Sequence, residues 1–83
     1  MKILYFAWMR QRIGASKEDI DLPGDVTTVD ALVDWLVARG ENYSEAFVKR
    51  EVIRAAVNQE YVQFDHPIKN SDEIAFFPPV TGG

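Results

Sequence analysis

Apolar residues alternate with a period of two at both ends of the chain and recur with a helical period in its middle. In KILYFAWM the alternation predicts a strand. Ile3, Tyr5 and Ala7 fall on one face and Leu4, Phe6 and Trp8 on the other. Both faces are apolar, so such a strand is covered on both sides, or on one side until a partner arrives. RQRIGAS predicts a loop in which Gly14 is free to take φ > 0. KEDIDLP predicts a second short strand that stops at Pro23 and closes an N-terminal hairpin. The pattern then changes. Val29, Leu32, Val33, Leu36 and Val37 follow the i, i+3, i+4, i+7, i+8 stripe of an amphipathic helix. Thr27 or Thr28 is the expected N-cap, with Asp30 at capping-box spacing from Thr27. Asp30 and Asp34 suit the early turns and Arg39 the last one, and Gly40 suits the position after the C-cap. Trp35, at the edge of the stripe, is expected to pack.

Beyond that helix, Ser44 is expected to cap one or two helical turns holding Ala46 and Phe47. VIRAAVN predicts a strand, NQE a turn and YVQF a short strand. DHP and KNSD are turn chemistry on either side of Ile68. EIAFF is the last strand, with Ile74 and Phe76 on one face and Ala75 and Phe77 on the other. Pro78 has no N–H for a ladder, so it ends the strand or places it at an edge. This order predicts an α+β fold: a β-grasp, or ubiquitin-like, mixed sheet with one main helix packed on one face. That domain covers residues 1–77, and an extended tail covers 78–83. In such a sheet the first and last strands lie side by side and parallel in the middle. The face away from the helix is expected to carry Leu4, Phe6, Trp8, Ala75 and Phe77, with Tyr61 joining them. Exposed aromatic clusters mark interfaces. The competing expectation is a second core layer beneath residues 42–51.

Composition narrows the function. The 83 residues are 47% hydrophobic and 27% charged, with a net charge of −4. Lys and Arg are scattered, which argues against a nucleic-acid partner, whose footprint is a basic patch. No apolar run approaches the ~18 residues of a membrane span, and the N-terminus lacks a signal-peptide pattern, so the expected location is cytoplasmic. The absence of cysteine excludes disulfides, thiolate metal sites, a cysteine nucleophile and a protein persulfide. His66 is the only histidine; in FDHPI it reads as a turn residue with no apparent base or substrate. Asp19, Asp21, Asp25, Asp30 and Asp34 do not match a metal-binding loop, so no metal is expected. There is no GxxxxGK[ST] loop for phosphate.

The chain ends FFPPVTGG. At ordinary glycine usage of about 7%, two final glycines arise by chance in about one chain in 200, so the pair alone discriminates weakly. The physical case is access. A backbone without Cβ threads a narrow channel, and Pro78 and Pro79 hold the base of the tail near polyproline geometry. A tail of Pro79, Val80, Thr81, Gly82 and Gly83 is suited to carrying a terminal carboxylate into another protein's active site. A frayed terminus accounts for it equally well on these grounds. The carboxylate is a poor electrophile and needs activation by a separate ATP-using enzyme.

FAWMRQRIG, AAVNQ, FDHPI and above all SDEIAFFPPVTGG together resemble the small-subunit family of molybdopterin synthases, which are ubiquitin-like sulfur carriers. The resemblance runs over the whole chain, with Gln11 standing where that family often has Glu. It implies that Gly83 is adenylated and then converted to a thiocarboxylate, so that the carried group is a C-terminal 1-thioglycine. It implies three partners: an ATP-dependent adenylyltransferase, a sulfur donor protein and the large catalytic subunit of molybdopterin synthase. With the last the chain forms a heterotetramer and delivers sulfur to cyclic pyranopterin monophosphate. Phe6, Tyr61 and Phe77 are the expected partner interface. No cofactor is expected on the chain itself, ATP being consumed by the activating enzyme, and nucleotide binding enters only through the adenylate. The chain is non-catalytic alone. Rival readings are a carrier for thiazole (thiamine) or another pathway, a ubiquitin-like protein modifier, and a plain interaction module.

Overall fold

The N-terminal alternation stops being a strand at Tyr5. The computed structural model describes residues 1–79, and in it β1 (Lys2–Tyr5) is followed by a short helix, α1 (Trp8–Ile13), where a continuing strand and a loop were expected. Ala7 turns the chain with φ 56° and ψ −138°. Met9 and Ile13, four apart, bury on one side of the new helix. Gly14 does take positive φ, but as the C-cap of α1, its N–H donating to Arg10 O at 2.9 Å. β2 (Lys17–Asp19) is shorter than expected. Its partner β1 runs out, since the Ile20 N–H already reaches the carbonyl of Met1. Past it the Leu22 N–H turns to the Asn70 side chain.

The main helix, α2 (Val29–Val37), is capped by Thr28, whose Oγ1 accepts from the Ala31 N–H at 3.1 Å. Gly40 does not terminate it. α2 ends at Ala38 in an ordinary right-handed conformation, and Gly40, with extended φ, begins α3 (Glu41–Ala46). A Cβ on Gly40 would stand 2.9 Å from Asn42 Oδ1, the end of a side chain that can move aside. Ser44 lies inside α3, its hydroxyl donating back to Glu41 O, and is not the cap. Arg39 leaves the α2 terminus for the Glu18 carboxylate. A 3₁₀ turn (Arg50–Val52) leads to β3 (Arg54–Val57) and β4 (Glu60–Val62), joined by a two-residue turn in which Asn58 and Gln59 both have positive φ. That is the turn geometry which matches hairpin twist. β5 (Glu73–Phe77) comes last.

The sheet order is β2-β1-β5-β3-β4, with β1 and β5 parallel and the other pairs antiparallel. The chain therefore has the α+β, β-grasp arrangement, with its first and last strands adjacent. The inner face packs Ile3, Tyr5, Ile74, Phe76, Ala55 and Val57 against α2. Phe76 is fully buried among Tyr5, Phe47 and Phe64, with ring centroids 5.1–6.4 Å away. Phe47, Tyr43 and Ala46 join this same core. Residues 42–51 therefore cover the inner side, and the second core layer considered for the outer face is not there.

A carboxylate clasps this side together. Glu18 on β2 accepts from the hydroxyls of Tyr5 (2.7 Å) and Tyr43 (2.8 Å) and from Arg39 (3.3 Å), whose guanidinium lies over Trp35 and Tyr43. Trp35 thus packs, as expected. Burial first, and the bond to Glu18 second, push both tyrosine hydroxyls above their ordinary range.

Candidate docking face and tail base

The outer face follows from register. Leu4 stands opposite Ala75, Ala75 opposite Ala56, and Ala56 opposite Tyr61, so these four share one row. Phe77 lies on the same face, opposite Arg54. The Phe6 N–H donates to Phe76 O at 3.2 Å, which carries the parallel ladder one step beyond the Tyr5–Phe76 pair and sets Phe6 alongside Phe77.

Small side chains on β3 shape this face. Tyr61 and Phe77 sit on strands flanking β3, yet their rings meet at 5.3 Å between centroids, inclined by 43°. They meet across Ala56, which is buried although it does not belong to the inner core. An alanine there leaves room for two aromatic rings to close over the strand. The outcome is an apolar face with Tyr61 82% and Phe6 47% exposed, and Leu4, Ala75 and Phe77 half-buried. Lys2, Lys17, Asp19, Glu73 and Arg54 share the face by register and form a polar border.

Phe6, Tyr61 and Phe77 thus converge, as the alternation predicted. Trp8 does not join them. It lies on α1, with the Arg12 guanidinium 5.8 Å above its ring. β5 is central, so Pro78 ends the strand rather than marking an edge. Pro78 and Pro79 are half-buried directly after Phe77. Val80, Thr81, Gly82 and Gly83 lie outside the described residues.

His66 is held in a turn, its N–H donating to Gln63 O and its carbonyl accepting from the Val29 N–H. Among the described residues no group of three or more His, Asp or Glu side chains is placed to hold a metal ion. No helix there is long and apolar enough to cross a membrane. Among the described residues the one buried acid is Asp72, read in the sequence only as part of the KNSD turn. It accepts from the Asn58 amide (2.9 Å) and the Lys69 N–H (2.9 Å), while Asn58 Oδ1 accepts from the Glu73 N–H. The bond from Asn58 comes first among the causes that hold its carboxyl below the usual range. This knot ties the loop before β5 to the β3–β4 turn and fixes where β5 starts; it contains no reactive arrangement.

A family model described as the ThiS family matches residues 3–83. The chain belongs to the ThiS family. Two relatives of this ThiS-family chain are molybdopterin synthase sulfur carrier subunits. That of Escherichia coli K12 is 41% identical over 83 residues, covering all of this chain and 99% of the relative. That of Dictyostelium discoideum is 43% identical over 84 residues, covering 99% of this chain and 94% of the relative. Among solved structures, SAMP1 of Haloferax volcanii, a small archaeal modifier protein, is 28% identical with a TM-score of 0.75, covering all of this chain and 98% of that one. The β-grasp arrangement of this ThiS-family chain is therefore shared with that structure.

Proposed function

We propose that this ThiS-family chain is the sulfur carrier subunit of a molybdopterin synthase, working in the cytoplasm. The observation that carries the reading is its full-length similarity to sulfur carrier subunits, 41% identical to the Escherichia coli one, in a chain that ends in Gly82 and Gly83. The chemistry uses the terminal carboxylate. An activating enzyme joins a Gly83 carboxylate oxygen to the α-phosphate of ATP and releases pyrophosphate. Sulfide (HS⁻) delivered by a donor protein then displaces AMP, which leaves with that oxygen, and Gly83 becomes a thiocarboxylate. The large catalytic subunit accepts the tail, the sulfur bonds to cyclic pyranopterin monophosphate, and water cleaves the acyl–sulfur bond, returning Gly83 as a carboxylate. Two deliveries supply both sulfurs of a dithiolene.

The outer face supports this cycle. Phe6, Tyr61 and Phe77 dock on each partner in turn, and Phe77 stands one residue before Pro78. Docking there fixes the base of the tail, while Pro79, Val80, Thr81 and Gly82 span the remaining distance into the partner's site. A chain without cysteine has no persulfide to offer, but its terminal carboxylate can carry sulfur.

The test is intact mass and fragmentation of the C-terminal peptide after incubation with ATP, the activating enzyme and a sulfur donor. Replacement of one Gly83 oxygen by sulfur is the expected result. An unchanged carboxylate overturns the reading. The likeness to a small archaeal modifier protein favours one second reading, conjugation of Gly83 to lysines of other proteins. Diglycine-linked lysine peptides distinguish it. Removing Gly82 and Gly83 abolishes either activity and spares a plain interaction module.

A further inference from the structure

Five large hydrophobic side chains are conspicuously exposed among the described residues: Phe6, Trp8, Val48, Val52 and Tyr61. Two belong to the outer face. The other three line a single groove of about 300 Å³ between α1 and residues 45–52, with Arg12 and Lys49 at its border.

Charge and backbone both set this groove apart. The chain has a net charge of −4, yet α1 bears Arg10 and Arg12 and no acid. Among the described residues neither of these arginines nor Lys49 takes part in an ion pair. Glu45 is the one acid lining the groove. A second observation concerns the backbone. The Phe6 carbonyl accepts from the Met9 N–H at 3.2 Å, closing a reverse turn whose first central residue is Ala7 at φ 56° and ψ −138°. Turns with positive φ at that position favour glycine. A non-glycine residue persists there only when its surroundings hold it, and such residues cluster at ligand clamps. Ala7 lies between Phe6 on the sheet face and Trp8 in the groove, so one strained residue sets the angle between the two surfaces.

We infer that this groove is a second docking surface, continuous with the outer face around the Ala7 corner. Its occupant is an apolar side chain flanked by carboxylates, on the same protein that covers Phe6. Trp8 and Arg12 are of the residue types that dominate interface energetics; Lys49 pairs with the partner's carboxylates. The inference rests on the carrier reading, because that reading supplies the partners to test.

The experiment measures Kd of the full chain for the activating enzyme and for the large catalytic subunit, with unaltered protein and the variants Val48→Glu, Lys49→Glu and Phe77→Ala. Val48 and Lys49 are exposed, so both variants keep the melting temperature of the unaltered chain. Val48→Glu is expected to weaken at least one complex about tenfold, as an interface anchor does. The loss from Lys49→Glu shrinks as salt is raised from about 0.05 to about 0.5 M, because the attraction it removes is screened. If both variants bind both proteins normally while Phe77→Ala binds them weakly, the groove is not a docking surface and the carrier reading stands. If Lys49→Glu weakens binding equally at all salt concentrations, the carboxylate-bearing occupant is wrong. If the unaltered chain binds neither protein, the carrier reading fails and this inference fails with it.

Discussion

On β5, Phe76 and Phe77 are neighbours in sequence and opposites in surroundings. Phe76 is fully buried against three aromatic rings, whereas Phe77 is half-buried and, among the described residues, pairs with one ring, that of the exposed Tyr61. β3 repeats the contrast in miniature: Ala55 belongs to the inner core, and Ala56 lies under the outer ring pair. Strand alternation lets one backbone carry two apolar layers. The inner layer is closed by α2 and α3. The outer one leaves apolar area in water at about 25 cal/mol per Å², a standing cost that covering the face would remove. The inner face accounts for why the chain folds, and the outer face is the one proposed to meet partners.

The comparison breaks most readily at these two phenylalanines. Phe76→Ala empties the centre of the inner layer and is expected to lower unfolding free energy by about 3–5 kcal/mol in a urea titration. Equal losses for Phe76→Ala and Phe77→Ala would show that the faces do not differ. Phe77→Ala instead is expected to cost about 2 kcal/mol or more in binding to each partner, and under about 1 kcal/mol in folding. Calorimetric titration together with a melt separates the two quantities.

Ala56→Leu sharpens the contrast on the outer side. Ala56 is buried, but the Tyr61 ring above it is exposed and can move aside, so wedging it from Phe77 is expected to cost about 1 kcal/mol in folding, the low end for overpacking. Near-UV circular dichroism should report the lost ring contact. The smallest effect concerns the polar clasp behind the inner face. Tyr5 is held protonated by burial and then by its bond to Glu18. Folding therefore favours the neutral phenol. That contribution is complete below the ordinary tyrosine value of about 10 and declines as pH rises past it, where the unfolded chain releases the proton and the folded one retains it. Tyr5→Phe should flatten the alkaline fall in stability seen in denaturant titrations; an unchanged slope would remove Tyr5 from that account.

Local pattern made part of this legible. α2, β5, the β3–β4 hairpin and the adjacent parallel strands follow from periodicity and turn residues. Phe6, Tyr61 and Phe77 follow from alternation. The same alternation misplaced Trp8, because it runs on past Tyr5 and is broken only by the backbone at Ala7. The Met9–Ile13 spacing was the available signal for α1, and it is a single pair. Gly40 offered a helix-ending residue that serves instead the start of α3. What stayed hidden depends on distant segments. Glu18 meets tyrosines from β1 and α3, and Asp72 meets Asn58 from the turn between β3 and β4. Ala56 matters through what its small size permits on either side.

The sheet closes around its latest-made strand. β5 lies between β1 and β3, and Lys2 pairs with Glu73. The β1–β2 and β3–β4 pairs therefore cannot be joined into one sheet until β5 is made, and the closing step joins distant segments, the kind of pairing that slows folding. Phe77 takes its place beside Tyr61 only in that step. Under the proposed docking, a partner that reads the two rings together distinguishes a finished molecule from an unfinished one bearing the same residues, and the fold itself certifies completion.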